Sequence, residues 1–347
     1  MRKNRLGTSN IEVSEICLGT MTWGQQNTQQ EAFEQLDAAM DYGVNFIDTA
    51  EMYSVPTQAA TSGSTETIIG NWFKARGNRD KVVLASKVTG PGDWLPHIRD
   101  GKTRFDRKCI EAAIDGSLKR LQTDYLDLYQ LHWPDRATNF FGRLGFSVYP
   151  GEEQITPVEE TLEVLNDLVK AGKVRHAGLS NETPWGAMKF LHYSETKGWA
   201  RPVSIQNPYS LLNRSYEVGL AEVSYREQMG LLAYSPLAFG MLSGKYLNNQ
   251  WPDGARLTLF KQFSRYTNPE AIAATEKYLA VAEKHGLNPV QMALAFVTQQ
   301  PFVTANIIGA TSMEQLKTNL ESSEVTLGKE VLKDLNQVNV EHPYPAP

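Results

Sequence analysis

The chain has 347 residues, of which 41% are hydrophobic and 21% are charged, and its net charge is −5 at pH 7. This mild acidic balance offers no basic face of the kind that nucleic acid binding usually requires, so we expect no nucleic acid partner. The two cysteines form no CxxC pair for a metal, and neither a signal-peptide core nor a membrane-length apolar run is visible, which predicts a cytoplasmic protein without a membrane partner.

Strand and helix patterns alternate through the first half of the chain. The best signalled helix begins with a capping box of Thr28 and Glu31 and ends at Gly43. Strands rich in β-branched and other apolar residues separate the helices. The pattern predicts strands at 13–19, 44–50, 81–88 and 124–132, and helices at 28–43, 64–77 and 106–121.

The second half repeats this scheme. Its first helix is expected to begin with Thr156 as the cap, Pro157 at the first position and Glu159 completing a capping box. The last six residues, HPYPAP, are expected to form an irregular tail. The pattern predicts strands at 174–181, 202–209, 231–237 and 305–310, and helices at 156–172, 183–198, 216–230, 269–286, 289–300 and 312–322.

Eight strands separated by helices indicate a parallel sheet, for which two architectures compete. An open doubly wound sheet usually carries a GxGxxG fingerprint, and this chain has none. Eight units without a linker favour a closed (β/α)8 TIM barrel as a single domain over residues 1–347. The GTSN turn at 7–10 predicts an N-terminal β-hairpin across the bottom, and loop insertions are expected on the rim at 54–63, 89–105 and 133–155.

Four polar residues follow the ends of predicted strands. Asp48, Lys87 and His132 are about one barrel unit apart, and Tyr53 lies five residues after Asp48. Each alone has an ordinary explanation, namely a turn acid, a snorkelling lysine, a core histidine and a loop aromatic. Since the carboxyl ends of barrel strands meet at one face, we expect the four side chains to converge there. The four separate explanations do not account for such a convergence.

These four side chains suit one kind of proton transfer. A free phenol has a pKa of about 10, and a nearby ammonium lowers that value. A carboxylate would keep the lysine charged, and a histidine can orient a substrate oxygen. The set could protonate the alkoxide that forms when a hydride adds to an aldehyde or ketone. A metal-dependent barrel hydrolase is the weaker alternative, because the sequence shows no clustered ligands and we expect no metal.

The chain carries the motifs LGTMTWG (18–24), FIDTAEMY (46–53), ASKV (85–88), DYLDLYQLHWP (124–134), GLSN (178–181), IQNPYSLLNR (205–214) and YSPLAFG (234–240). These motifs resemble those of the aldo-keto reductases. The resemblance covers nearly the whole chain and implies a barrel that uses NADPH. It also implies a catalytic tetrad of Asp48, Tyr53, Lys87 and His132. Tyr53 would be the general acid, Lys87 would lower its pKa, Asp48 would anchor Lys87, and His132 would orient the carbonyl group.

The same resemblance implies the NADPH contacts. Ser180, Asn181 and Gln206 would hold the nicotinamide carboxamide, and Tyr234 would stack on the nicotinamide ring. One departure is Thr318, where relatives often carry Glu. The other implied contacts are Gly19 and Thr20, then Ser235, Pro236, Leu237, Phe239 and Gly240 along the pyrophosphate, Lys245 and Arg256 at the adenosine end, and Gly309, Thr311, Gln315 and Asn319 in the last segment.

A helix that begins at Thr311 or Ser312 would offer its N-terminus to an anion, and barrels commonly bind phosphate after strands seven and eight. Lys245 with Arg256 would favour a 2′-phosphate, hence NADPH over NADH. The alternative is that both are solvated loop cations.

An aromatic pocket over the tetrad is expected on the substrate side. Trp23 and Trp133 are predicted to line it, and the rim loops also carry Phe140, Phe141, Phe146 and Tyr149. The alternative is that the aromatics of 133–155 only pack their own loop.

Two functions remain open at this point. The first is reduction of a small-molecule carbonyl substrate with NADPH. The second is an NADP(H)-binding, redox-sensing or partner-binding protein with weak catalysis, because potassium-channel β subunits share the resemblance. The physiological substrate and the oligomeric state stay open.

Overall fold

A computed structural model describes residues 1–147 and 155–347. An antiparallel hairpin of β1 (Lys3–Arg5) and β2 (Glu12–Ser14) precedes eight parallel strands that close into a barrel. The predicted (β/α)8 barrel with an N-terminal hairpin is therefore confirmed. The barrel strands are β3 (Ile16–Gly19), β4 (Phe46–Asp48), β5 (Val83–Val88), β6 (Leu126–Leu131), β7 (Val174–Ser180), β8 (Ser204–Pro208), β9 (Gly230–Tyr234) and β10 (Val303–Ile308).

Helices surround the barrel, and two of them were not expected from the sequence. These are Arg256–Leu259 and Lys329–Glu341, whereas the helix expected at 216–230 is reduced to a 3-10 turn at Ser215–Val218 followed by the short helix Leu220–Arg226. The helices are α1 (Gln29–Asp41), α2 (Ser64–Arg76), α3 (Arg107–Leu121), α4 (Val158–Lys170), α5 (Pro184–Lys197), α6 (Leu220–Arg226), α7 (Arg256–Leu259), α8 (Pro269–Lys284), α9 (Pro289–Thr298), α10 (Met313–Glu321) and α11 (Lys329–Glu341).

One predicted helix start is confirmed and another is wrong. The capping box at α1 is present, since the backbone N–H of Glu31 donates to Thr28 Oγ1 and that of Thr28 to the Glu31 carboxylate. Helix α4 instead begins after Pro157, without a side-chain cap. The hydroxyl of Thr156 instead donates to Oδ2 of the buried Asp135 carboxylate at 2.6 Å, which holds the side chain away from the helix start.

The strand predicted at 13–19 is divided between two structures. Val13 belongs to the hairpin, where it packs with Leu6 against Cys17 and Phe46 inside the barrel. Glu15 interrupts the strand and accepts hydrogen bonds from the backbone and side chain of Arg2. The hairpin thus fills the bottom of the barrel, as the sequence predicts.

The alternation of side chains along each strand separates an apolar layer from a polar one. Phe46, Ala85, Leu128 and Leu232 point into the barrel and form a buried cluster. Because inward positions recur every second residue, the next inward positions toward the carboxyl ends are polar. Those positions are occupied by Asp48, Lys87, Gln130 and Tyr234, one on each of four strands.

The last residues form neither helix nor strand, but they pack against the body of the protein. Pro345 and Ala346 are buried. The backbone N–H of Ala346 donates to the carbonyl of Leu212, and Asn268 Nδ2 donates to the carbonyl of Pro345 at 2.9 Å. In the described ranges, no helix is long and apolar enough to cross a membrane.

Candidate active site

A buried ion pair forms the base of the site. Lys87 Nζ lies 2.5 Å from Asp48 Oδ1 and also donates to the carbonyl of Thr49 at 2.7 Å. The other carboxylate oxygen of Asp48 accepts from Nε2 of Gln130 at 3.0 Å and of Gln206 at 2.7 Å. An ammonium has three N–H groups, so one remains after these two contacts. Lys87 is therefore held in one position, and one N–H of its ammonium is not used by these two contacts.

The phenol of Tyr53 lies next to this ammonium. Lys87 Nζ is 5.0 Å from the centre of the Tyr53 ring. Burial raises the pKa of Tyr53, and Lys87 acts in the opposite direction without outweighing it. Burial disfavours the charge on Lys87, but Asp48 and Tyr53 together raise the pKa of Lys87 above its ordinary value. A charged lysine thus faces a protonated phenol at neutral pH.

His132 completes the group as a neutral imidazole. Its ring centre is 5.8 Å from that of Tyr53, at an interplanar angle of 74°. Burial, and after it the charge of Lys87, lowers the pKa of His132 well below its usual range. Its buried Nδ1 has no hydrogen-bond partner within 1–147 and 155–347. A neutral imidazole carries one N–H donor, which can bind a carbonyl oxygen without charging the site.

A cavity of about 1260 Å³ runs from this group along the barrel mouth. It exceeds the usual 300–1,000 Å³ of a small-molecule pocket. Every residue that the resemblance implied for the cofactor lines this cavity, as do Asp48, Tyr53 and His132. The cofactor candidates along its wall are Gly19, Thr20, Ser180, Asn181, Gln206, Tyr234, Ser235, Pro236, Leu237, Phe239, Gly240, Lys245, Arg256, Gly309, Thr311, Gln315 and Asn319.

The end of β3 approaches its neighbours closely. A Cβ on Gly19 would stand 2.8 Å from Ile307 Cγ2 and 2.9 Å from the carbonyl oxygen of Ile308, so only glycine fits there. The next residue, Thr20, donates from its hydroxyl to the carbonyl of Asp48 at 2.8 Å. This turn therefore fixes the backbone that carries Asp48.

Polar side chains at the ends of β7 to β9 are linked to one another. The hydroxyl of Tyr234 donates to Asn181 Oδ1 at 2.6 Å, and Asn181 Nδ2 donates to the carbonyl of His132 at 2.8 Å. Ser180 Oγ donates to the carbonyl of Gln206 at 2.8 Å. These bonds fix the plane of the Tyr234 ring beside the tetrad.

Two cations without acidic partners line the cavity near Phe239 and Gly240. Burial raises the pKa of Tyr53, and Arg256 is close enough to that phenol to act in lowering it. Neither Lys245 nor Arg256 pairs with a carboxylate of the described residues, and both are half-buried. Burial, and then the neighbouring charge of Arg256, lowers the pKa of Lys245. Helix α10 begins nearby, with Ser312 as its N-cap. Adjacent, partly desolvated cations are unfavourable unless an anion joins them, so this part of the cavity suits a phosphate.

Aromatic side chains cover the tetrad end of the cavity. Trp133 is held by a hydrogen bond from Nε1 to the carbonyl of Pro91 at 2.9 Å. Trp94 stacks on it with 5.5 Å between ring centres, and the Phe141 ring meets it edge-on. Trp94, Trp133 and Phe141 all line the cavity and form what we call the aromatic wall.

Trp23 was predicted for the substrate pocket, but its indole lies elsewhere. The side chain is fully buried in the core between strands and helices, where Nε1 donates to Gln35 Oε1 at 3.3 Å. Among the rim aromatics, Phe140 packs against Phe141, and Phe146 is 72% exposed. Tyr149 lies outside the described residues.

Three residues of the site were not predicted from the sequence. Gln130 could have been found, because it occupies an inward position of β6 two residues before His132. Trp94 lies in the 89–105 insertion, whose aromatic residue was a detectable signal. Arg265 lines the cavity from the segment before α8, where no sequence pattern distinguishes it from a surface arginine.

Comparisons with known proteins agree with this architecture. A model of the aldo/keto reductase family matches residues 15–340. The chain is 50% identical to Protein tas of Escherichia coli strain K12 over the full length of both proteins. It is 34% identical to the uncharacterized oxidoreductase YrpG of Bacillus subtilis, covering 97% of this chain and 96% of YrpG. It is 31% identical to a putative voltage-gated potassium channel subunit beta of Schizosaccharomyces pombe, covering 96% of this chain and 92% of that protein. The protein belongs to the aldo/keto reductase family.

Proposed function

We propose that this protein reduces aldehydes or ketones to alcohols with NADPH as the hydride donor. The observation that carries the proposal is the group formed by the Lys87–Asp48 ion pair, the protonated phenol of Tyr53 and the neutral imidazole of His132 at the mouth of one cavity. Proton donation to an oxygen that becomes negatively charged is what this group can do best.

The residues present fit the cofactor. Lys245 and Arg256 would hold the 2′-phosphate, since a guanidinium and an ammonium without carboxylate partners match its charge. The start of α10 would take a second anionic group. Tyr234, fixed by Asn181, would lie against the nicotinamide. Bound NADPH would supply the hydride that adds to the carbonyl carbon.

The protein's own side chains would handle the oxygen and the proton. His132 would donate a hydrogen bond to the carbonyl oxygen and orient it. As the C=O electron pair moves onto that oxygen, Tyr53 would give up its phenol proton to form the alcohol. Lys87 would stabilise the resulting phenolate, and Asp48 would keep Lys87 charged and in position.

The direction of the Tyr53 shift predicts the pH dependence. Reduction requires the protonated phenol, and burial holds its pKa above the ordinary value of about 10. We therefore expect kcat for reduction to stay flat from about pH 6 to 9 and to fall only at higher pH. Alcohol oxidation with NADP⁺ requires the phenolate, so its rate should rise with pH over the same range. Initial rates at saturating cofactor measure reduction and oxidation. If the reduction rate already declined before the rising pH reached 8, another group would be the acid.

Neutralising the two cations should change cofactor preference. We expect the double variant Lys245→Met and Arg256→Met to weaken NADPH binding about 100-fold or more, because hydrogen bonds to charged groups contribute about 1.5–3 kcal/mol each. NADH, which lacks the 2′-phosphate, should be affected much less. Fluorescence titration measures both dissociation constants, with the exposed Lys261→Met as the matched control. Equal weakening of both cofactors would contradict the assignment.

A second function is kept because one relative carries the name of a putative potassium channel β subunit. In that case the protein would bind NADP(H) tightly and act as a redox-sensing or partner-binding protein. A panel of aldehydes and ketones followed by NADPH absorbance separates the two. Turnover that depends on Tyr53 supports the reductase, whereas a tight cofactor complex without turnover supports the alternative.

A further inference from the structure

A third cation lines the cavity, and neither the tetrad nor the cofactor accounts for it. Arg265 lies against the phenols of Tyr234 and Tyr266, whose attraction raises the pKa of Arg265 although burial opposes its charge. It also contacts the rim loop, since a Cβ on Gly142 would stand 3.0 Å from Arg265 Nε. The guanidinium therefore sits between the Tyr234 ring and the loop that carries Phe141.

No carboxylate in the part of the chain that the structure describes pairs with Arg265. The acidic side chains that line the cavity are Asp48, which Lys87 already neutralises, and Glu314, which is exposed at the start of α10. The C-terminal residue Pro347 also lines the cavity, with an oxygen 3.4 Å from the Cβ position of Gly142, but it forms no ion pair with Arg265. Arginine presents a planar fork of N–H donors that matches a carboxylate in a bidentate manner. A half-buried guanidinium that lines a cavity and forms no ion pair with any of these acids is thus available to an anionic ligand.

Asn268 holds the backbone of Arg265 through a hydrogen bond. Asn268 Nδ2 donates to the carbonyl of Arg265 at 3.3 Å and to that of Pro345 at 2.9 Å. Asn268 Oδ1 also caps α8 by accepting from the backbone N–H of Ala271 at 2.9 Å. The C-terminal segment and a helix start therefore fix the arginine, which reduces the entropy lost when it binds a ligand.

Its place along the cavity indicates the substrate rather than the cofactor phosphates. Lys245, Arg256 and the start of α10 already provide for those phosphates. Arg265 lies near Tyr266, as Arg256 does, but it also adjoins Tyr234. The hydroxyl of Tyr234 is linked through Asn181 to the backbone of His132. At this end the cavity is also lined by the aromatic wall of Trp94, Trp133 and Phe141.

We propose that Arg265 binds a carboxylate of the substrate, so that the preferred substrates are carbonyl compounds with a second, acidic group. Their apolar part would contact the aromatic wall while the carbonyl oxygen faces Tyr53 and His132. This inference rests on the proposed reductase function and narrows it to one chemical class.

The test compares aldehydes that differ in one charge. The NADPH-loaded protein is assayed with 3- and 4-carboxybenzaldehyde, with their neutral methyl esters and with 4-formylphenyl phosphate. We expect kcat/KM for at least one acid to exceed that of its ester about tenfold or more, mainly through KM. Arg265→Met should remove this preference by lowering kcat/KM for the acid much more than for its ester, and Arg265→Lys should restore part of it. The exposed Lys261→Met should behave as the unmodified protein.

Other results would overturn the assignment. Equal kcat/KM for acids and esters would show that Arg265 does not select carboxylates while the reductase function stands. A preference for the phosphate over both acids would contradict the carboxylate class. Weakened NADPH binding in Arg265→Met with the acid preference intact would assign the residue to the cofactor. Circular dichroism establishes that each variant is folded.

If no aldehyde is reduced, the reductase proposal fails, and the arginine is tested by binding alone. Benzoate and neutral benzamide are then titrated into the protein–NADPH complex, with quenching of NADPH fluorescence as the readout. Benzoate binding that is lost in Arg265→Met supports the carboxylate site. Absence of benzoate binding, or equal binding of benzamide, overturns it.

Discussion

Replacement of Tyr53 by Phe is expected to lower kcat for aldehyde reduction by about 10²–10⁴-fold, the usual contribution of a positioned general acid. The change removes only the phenol oxygen. The ring would keep its edge contact with His132 and its position near the Lys87 ammonium, so the fold should be preserved. NADPH affinity should change little, because the cationic part of the cavity is untouched. Steady-state rates and fluorescence titration measure the two quantities.

The exposed Tyr225→Phe is the matched control, since it loses the same oxygen at the surface. It should retain full activity. If Tyr53→Phe kept activity within tenfold of the unmodified protein, the proton would have to come from another group, and the role given to Tyr53 would be wrong. If the unmodified protein bound NADPH tightly but reduced no aldehyde or ketone, the partner-binding function would be favoured.

The barrel and its polar layer were predictable because both depend on local periodicity. Alternation in β4 and β5 places Asp48 above Phe46 and Lys87 above Ala85, so an apolar run that ends in a charge already marks the mouth of a barrel. Regular spacing of these strand ends then brings side chains from successive units together. The same alternation along β6 places Gln130 at an inward position, although this residue was not predicted from the sequence.

Features that depend on distant partners were not predictable. Thr156 has the sequence of a helix cap, but Asp135, 21 residues away, takes its hydroxyl. Trp23 follows a barrel strand as a pocket residue would, yet Gln35 on α1 holds its indole inside the core. In both cases the local pattern allows two arrangements, and a long-range hydrogen bond selects one.

The role of Arg265 required the folded chain for the same reason. Its segment has no periodicity, and its backbone is held by Asn268, which also binds the carbonyl of Pro345 at the distant end of the chain. Side chains that strands position are therefore predictable from the sequence, whereas those that loops position are not. In barrels the strand ends carry the shared chemistry, while the loops vary and choose the substrate.

The expected lowering of the Tyr53 pKa by Lys87 is present but does not dominate. Burial raises that pKa more strongly, and Asp48 also raises it. For reduction this balance is favourable, because the acid must hold its proton until the alkoxide forms. The ammonium then contributes mainly after proton transfer, when it faces a phenolate instead of a neutral phenol.

Replacement of Lys87 by Met should therefore depress reduction strongly while NADPH stays bound. The phenolate would lose the charge that stabilises it, and the Asp48 carboxylate would lose its cation. Breaking a buried pair in this way costs about 3–5 kcal/mol, because one charge is left uncompensated. We expect the free energy of unfolding, measured with urea, to fall by about that amount.

The double variant Asp48→Asn and Lys87→Met separates the two effects. It removes both charges, so part of the lost stability should return, since Gln130 and Gln206 can still donate to the amide oxygen of the new side chain. Reduction should stay as slow as in Lys87→Met, because stabilising the phenolate requires the ammonium and not merely a neutral core. If activity returned together with stability, Lys87 would be only a structural partner of Asp48, and the phenol would act without it.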